Sequence, residues 1–197
     1  MIPKTIVGID YSLTCPCWCV MKGFEDVYSG YTDYDCMFYY ITPKKKYQGT
    51  FLGNIIGYES KEYNDPVERF KNLSDTVLDC LQENYQLDDK QIFMEGYSFG
   101  SKGRAVFQIA ENGGILKYRL QLHYGQVEVI PPANIKKFAT GKGNADKIKM
   151  YEQFKKDTKI DLMKAFDQQT LANPVTDIVD AYYIAKYGQD IKSKATR

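Results

Sequence analysis

Two aspartates one helical turn apart open the stretch "TDIVDAYYIAKY" at residues 176–187. On an α-helix this spacing leaves their side chains within about 60° of each other, so Asp177 and Asp180 face the same thing. Asp177 has an ordinary explanation, because an acid in a first turn complements the helix dipole. Asp180 does not. It sits among Ile178, Val179, Ala181, Ile184 and Ala185, on a helix that belongs in a core, where a carboxylate needs a partner. A metal ion is one such partner. Two further acids close apolar runs: Asp10 ends "KTIVGID", and Glu95 stands at the end of "KQIFMEG". Ionised carboxylates brought within a few ångström repel one another unless cations neutralise them, and oxygen-only ligands select Mg²⁺ or Mn²⁺. Two such ions about 3.5–4 Å apart activate a water, hold a scissile phosphate and stabilise the leaving oxygen. The chemistry expected is phosphodiester cleavage. Each acid taken alone has a structural alternative: Asp10 can pair with a lysine, Glu95 can cap a loop and Asp177 can cap its helix.

Other catalytic chemistries find little support. His123 is the sole histidine, and no Cys–His signature is present. The five cysteines (Cys15, Cys17, Cys19, Cys36 and Cys80) are an odd number in a chain too large to need disulfides. "CPCWC" invites a zinc site, but no second pair at finger spacing accompanies it, so buried strand thiols are expected.

The formal net charge is only +1, which gives no global signature of nucleic-acid binding. Between Lys136 and Lys164, however, nine lysines face four acids. Such a run is usually a solvated helix face. Its position after "PPAN" and around Gly141 and Gly143 suggests an anion site instead, with Lys136, Lys142 and Lys147 supplying charge and the following helix its N-terminus. It is not a P-loop, because no Ser or Thr follows Gly-Lys. Beside Glu95, "YSFGSKGR" offers Tyr97, Phe99, Lys102 and Arg104, a set suited to stacking on an unpaired base while gripping phosphates. Phe99 fits a core position equally well.

The elements that must position these residues follow from patterning. "KTIVGID" is a strand buried on both faces, and "CWCVMKG" and "CMFYYIT" continue a meander. Residues 43–65 lack a sustained period and are expected to form a loop insertion carrying a short strand. Pro66 opens a helix through residue 85, with Val67, Phe70, Leu73, Val77, Cys80 and Leu81 at helical spacing. Next come a strand at "KQIFMEG", a helix over 101–122, a strand at "GQVEVIPP" stopped by its prolines, a helix over 144–158, and a last helix capped by Gly188. Residues 189–197 are expected to be a flexible tail. The whole predicts a single α/β domain, a mixed five-stranded sheet with helices on both faces. At 197 residues with 44% apolar content, one full core is expected. No apolar run reaches the ~18 residues of a membrane span, and "MIPKTIVGID" lacks a signal peptide's long apolar region, so an intracellular protein without membrane partners is expected.

Four blocks in order, "GIDYS", "FMEGY", "PPANIKKFATGKGNADKIKM" and "DIVDAYYIA", resemble the RuvC family of Holliday-junction resolvases within the ribonuclease H-like superfamily. The resemblance runs from Asp10 to about Tyr187. It implies a ribonuclease H-like fold and a nuclease that cuts four-way and other branched DNA. It also implies divalent metal, two Mg²⁺ or Mn²⁺ ions, bound by Asp10, Glu95, Asp177 and Asp180, with DNA contacts at Lys136 and Lys147. The insertion at 43–65 and the cysteine-rich second strand depart from the cellular pattern and look more like phage or viral members, acting in a bacterial cytoplasm or at a viral replication site. Ribonuclease H-type cleavage of RNA–DNA hybrids is the alternative on the same fold. "DYSLT" also resembles the phosphate loop of sugar kinases and actin-like ATPases, but those need two such domains and a second glycine-rich loop. The two-fold symmetry of a four-way junction calls for a homodimer. Its interface is expected on the helix from about Lys102 to Leu120, through Val106, Ile109, Gly113, Leu116 and Leu120; a core-facing stripe is the alternative.

Overall fold

Strand β1 (Thr5–Asp10) is buried along nearly its whole length, as its unbroken β-branched run requires, and only Asp10 at its end is partly open. The computed structural model describes residues 5–25, 32–85, 90–97 and 105–195. Within them β1 is followed by β2 (Cys17–Glu25), β3 (Thr32–Thr42), β4 (Gly49–Phe51), β5 (Ile55–Glu59), α1 (Pro66–Asn84), β6 (Lys90–Glu95), α2 (Ala105–Tyr124) and β7 (Val127–Ile130). Helices α3 (Pro132–Thr140), α4 (Lys147–Thr158), α5 (Leu162–Ala165) and α6 (Val175–Ala195) complete the order. The strands form one sheet in the order β4-β5-β3-β2-β1-β6-β7. The β1–β2 and β2–β3 pairs are antiparallel, whereas β6 and β7 run parallel to β1.

Period-two alternation divides the core in two. Ile6, Cys17, Cys19, Met21 and Phe93 pack on the side of α6 and α4, while Val7, Ile9, Trp18, Val20, Ile92 and Met94 pack on the side of α1 and α2. The "CPCWC" cysteines therefore lie on one face of the sheet; none of the five cysteines is in a disulfide, and all but Cys36 are buried. Gly8 lies on the α6 side, where a Cβ would stand 2.2 Å from the backbone nitrogen of Ala185 and 2.6 Å from the carbonyl oxygen of Ala181. Its missing side chain lets α6 lie directly on β1.

Several sequence expectations need correction. The sheet has seven strands among the described residues, not five, because the 43–65 insertion supplies β4 and β5. β5 pairs in parallel with β3, and β4 closes the edge as an antiparallel partner. Gly188 does not cap the last helix: α6 continues to Ala195, so residues 189–195 are helical and do not leave the fold as a tail. Gly188 is there because a Cβ would meet the Phe93 ring at 2.3 Å. The two prolines after β7 begin a helix, with Pro131 at the N-cap of α3 and Pro132 in its first turn, where a missing N–H costs nothing. The stripe expected to form a dimer interface on α2 mostly faces inward. Leu116 and Leu120 are fully buried, and Gly113 is covered by Tyr97. No helix is long and apolar enough to cross a membrane among the described residues.

Candidate functional site

Strand parity aims two of the four acids at the same helix. Asp10 shares its face with Ile6 and Gly8, and Glu95 shares its face with Phe93, so both point to the α6 side of the sheet. The parallel register Ile9↔Met94 brings the two strand ends side by side. Above them α6 presents Asp177 and Asp180, held down on β1 by the contact at Gly8. Asp10 feels the charges of the other three acids, and Glu95 and Asp177 each feel that of Asp180.

Burial is the largest influence on all four. It raises the Asp10 carboxyl well above its ordinary value, and the charges of Asp180, Asp177 and Glu95 add to the effect. Burial and Asp180 push Glu95 up to about 7. Asp177 also rises to about 7 through burial, reinforced by Asp180 and opposed by a hydrogen bond from the Cys15 thiol. Burial lifts Asp180 to about 6. The opposing cations are few. Lys147 lowers all four carboxyls, and Lys136 lowers Glu95 and Asp180. Both lysines are thus within electrostatic reach of the acids. Lys142 is exposed on the turn between α3 and α4. Gly141 holds a left-handed C-cap, its N–H donating to Lys137 O at 2.8 Å, so that amide serves the helix end and not an anion.

The donor set fits a hard divalent cation. All four side chains offer only oxygen, and Asp177, 5% exposed, leaves its buried Oδ2 without a hydrogen-bond partner. The Thr176 hydroxyl donates to Asn173 Oδ1 at 3.0 Å and makes only a 3.5 Å contact with Asp177 Oδ1. Among the described residues no three His, Cys, Asp or Glu side chains are gathered tightly around one point as a finished ligand sphere.

Asp10 and Glu95, but not Asp177 or Asp180, border a cleft of about 440 Å³ lined also by Ser12, Thr14, Tyr97 and the α2 side chains Val106 and Ile109. The loop after β1 that forms its lip is pinned, because Arg69 donates to Leu13 O at 2.6 Å and Ser12 Oγ accepts from Cys15 N–H at 3.0 Å. Tyr97 stands half-exposed at the cleft, its hydroxyl donating to Ala110 O at 3.2 Å and its ring beneath Lys117 Nζ at 5.2 Å. Phe99, Lys102 and Arg104 lie outside the described residues. Cys15 is a neighbour of the acids that the sequence did not single out. The hairpin register Asp10↔Cys17 places it beside them, and its buried thiol is raised by burial and then by Asp177.

Stability should therefore depend on pH. A carboxyl whose folded pKa is raised binds its proton in the folded state after the unfolded chain has released it. Its penalty is absent below the unfolded value near 4 and fully present above the folded value of about 6 to 7. The metal-free protein is expected to lose several kcal/mol of stability as pH rises from about 4.5 to 7.5, because each pH unit separating a carboxyl's unfolded and folded pKa costs about 1.4 kcal/mol. Thermal unfolding across this range, with Glu95→Gln as comparison, checks it. A variant slope as steep as the wild type's would contradict it.

No protein-family model matches the sequence, and no curated protein is significantly similar to it. The fold has clear counterparts. The chain superposes on RuvC of Thermus thermophilus with a TM-score of 0.59 at 13% identity, covering 98% of this chain and 96% of that one. The same bacterial protein in complex with a Holliday junction substrate gives 0.61 at 12% identity, covering 97% and 96%. The yeast mitochondrial Holliday junction resolvase Ydc2 gives 0.56 at 15% identity, covering 100% and 82%. The chain thus has the fold of RuvC-type resolvases, the fold that its four sequence blocks implied.

Proposed function

We propose that this protein is a divalent-metal-dependent endonuclease that cuts branched DNA, four-way junctions foremost. One observation carries the reading: Asp177 is buried and Asp10, Glu95 and Asp180 are half-buried at one end of the sheet, within reach of one another's charge, with Lys147 and Lys136 as their counter-charges. On this fold, the cleft beside them is the natural seat of a DNA strand. Asp10, Glu95, Asp177 and Asp180 would hold Mg²⁺ or Mn²⁺, which when bound supplies the neutralising charge and the activated water for phosphodiester hydrolysis. The chain's own residues do the rest. Partial burial of the acids limits screening by bulk water, and Gly8 fixes α6 over the strand ends. Lys136, Lys142 and Lys147 take backbone phosphates, and Tyr97 stacks on a base at the cleft, joined by Phe99, Lys102 and Arg104.

Two chains are needed to cut both equivalent strands of a junction. The outward face of α2 suits the pairing, since Phe107, Tyr118 and Leu122 are 72%, 65% and 66% exposed. Exposed large apolar side chains along one helix offer an association surface. This replaces the inward stripe as the dimer interface.

A panel of four-way junction, three-way junction, flap, linear duplex and RNA–DNA hybrid, each with Mg²⁺ or Mn²⁺, tests the assignment. Paired, nearly symmetric nicks in opposing junction strands are the expected result. Preferential cutting of the hybrid would move the protein to ribonuclease H-type chemistry.

Lys147→Ala has two separable consequences. The slope of log K against log salt for junction binding falls by about 0.9, one phosphate contact. Because Lys147 lowers every acid of the cluster, its removal also moves the rise of the cleavage pH profile to higher pH. A pH profile and a salt slope both unchanged would remove Lys147 from the site.

A further inference from the structure

The sheet end that carries the acids has a second basic flank. β3 runs antiparallel to β2, with Tyr40 opposite Cys17, and Cys17 lies opposite Asp10. The chain leaving β3 at Thr42 therefore emerges at the same end of the sheet as Asp10 and Glu95. The residues it delivers there are Lys44, Lys45 and Lys46, all exposed. Lys44 is close enough to lower the Cys15 thiol, which is itself hydrogen-bonded to Asp177. Lys136 and Lys147 come from the far side, after β7. Neighbouring strands are about 4.8 Å apart; β3 is two strands from β1 and β7 one strand from β6, so the acids on β1 and β6 lie between the chain leaving β3 and the chain leaving β7.

The turn is built as a rigid platform. Lys45–Tyr47 is a single 3₁₀ turn closed by Tyr47 N–H donating to Lys44 O at 2.9 Å. Tyr47 is buried, its carbonyl accepts from the Tyr40 hydroxyl, and Phe166 packs edge-on against both Tyr40 and Tyr47. Lys46 Nζ lies 4.6 Å from the centre of the Tyr47 ring. Among the described residues no acid forms an ion pair with any of the three lysines.

Below the lysines runs a groove of about 290 Å³ whose opposite wall is the 167–173 loop, with Asp167 its acid and Gln168, Gln169 and Asn173 its amides. Gln168 is buried, with Oε1 unpartnered and Nε2 donating to Asn173 O at 3.1 Å. Asn173 Oδ1 accepts from Thr176, the neighbour of Asp177. The groove is thus connected by hydrogen bonds to the first turn of α6.

We infer that Lys44, Lys45 and Lys46, carried by the β3–β5 insertion, are a second DNA-backbone site that grips a different arm of branched DNA from the arm held by Lys136 and Lys147. The inference rests on the nuclease reading above and adds the means of telling a junction from a duplex. A linear duplex held along one wall leaves the other without phosphates, whereas a junction can fill both. The strand to be cut then lies over the acids between them.

The test is binding of a synthetic four-way junction and a linear duplex of equal length, in metal-free buffer over a salt series. It compares the wild type with Lys44→Ala/Lys45→Ala/Lys46→Ala and with the corresponding triple arginine variant. For the alanine variant, junction Kd is expected to rise about tenfold near 0.15 M salt and the slope of log K against log salt to fall by about two to three units, at ~0.9 per phosphate. Duplex binding stays close to wild type, and arginine retains junction affinity. Unchanged junction Kd and slope, or an equal loss on the duplex, overturns the inference. If the wild type itself neither binds nor cuts junctions, the nuclease reading falls and takes this site with it. A wild type that does both, matched by the alanine variant, removes this site alone.

Discussion

Asp10→Asn and Glu95→Gln are each expected to lower metal-dependent cleavage by at least about 10³-fold, equivalent to about 4 kcal/mol of barrier, while leaving junction binding nearly intact. The size follows from position. Asp10 is reached by the charges of the other three acids, so no neighbour can replace its oxygens without leaving its own place. The amides keep shape and hydrogen-bonding capacity, and folding is not at risk. On the contrary, removing one charge from a buried group of like charges stabilises the metal-free protein above about pH 7, where the acids would otherwise ionise. Loss of cleavage with a gain in melting temperature is a paired signature that a merely structural acid does not give. Single-turnover cleavage and thermal unfolding on the same preparations check it.

Gly8→Ala is expected to cost about 3 kcal/mol or more of stability and to disable the site in whatever fraction folds. The new methyl would stand 2.2 Å from Ala185 N and 2.6 Å from Ala181 O. Both atoms are backbone, so no side-chain rotation relieves the clash, and α6 must lift from β1. Overpacking of this kind usually costs roughly 1–3 kcal/mol, more when main chain has to move. The same lift carries Asp177 and Asp180 away from Asp10 and Glu95. Gly114→Ala is the control. Nothing lies within 4 Å of its Cβ, and alanine in a helix is favoured over glycine by roughly 0.5–1 kcal/mol. Denaturant midpoints of the two variants should therefore move in opposite directions, and only Gly8→Ala should lose cleavage. A Gly8→Ala protein as stable as wild type would show that α6 is not seated on β1 as described.

The acids were legible because carboxylates at the ends of apolar runs violate the pattern around them, and two at i and i+3 do so together. Element types were legible for the same reason that long periodic segments always are, as in α1, where Asp65 caps the helix and accepts from Val67 and Glu68. The features that stayed concealed have specific causes. β4 is three residues long, too short for alternation to register, and it is a strand only because β5 pairs with it. Gly188 after a long apolar run looks like a helix stop until Phe93 is known to press against it. Two consecutive prolines end a strand and begin a helix with equal ease, and the choice depends on the residues after them. A helical stripe reveals a face, not its neighbour, so Leu116 and Leu120 read as an interface when they belong to the core. Cys15 could have been found: a β1–β2 hairpin with Asp10 opposite Cys17 puts it next to the acids.

If Asp10, Glu95, Asp177 and Asp180 form one divalent-metal site, the metal must bind there without DNA. Calorimetric titration of Mn²⁺ into the wild type and Glu95→Gln, near pH 7 in two buffers of different ionisation enthalpy, measures this. The expected result is saturable binding to the wild type with release of protons, because burial raises the Glu95 and Asp177 carboxyls to about 7 and the metal takes them ionised. Binding should be much weaker for the variant. Identical isotherms for the two proteins, or binding with no proton released, would contradict it.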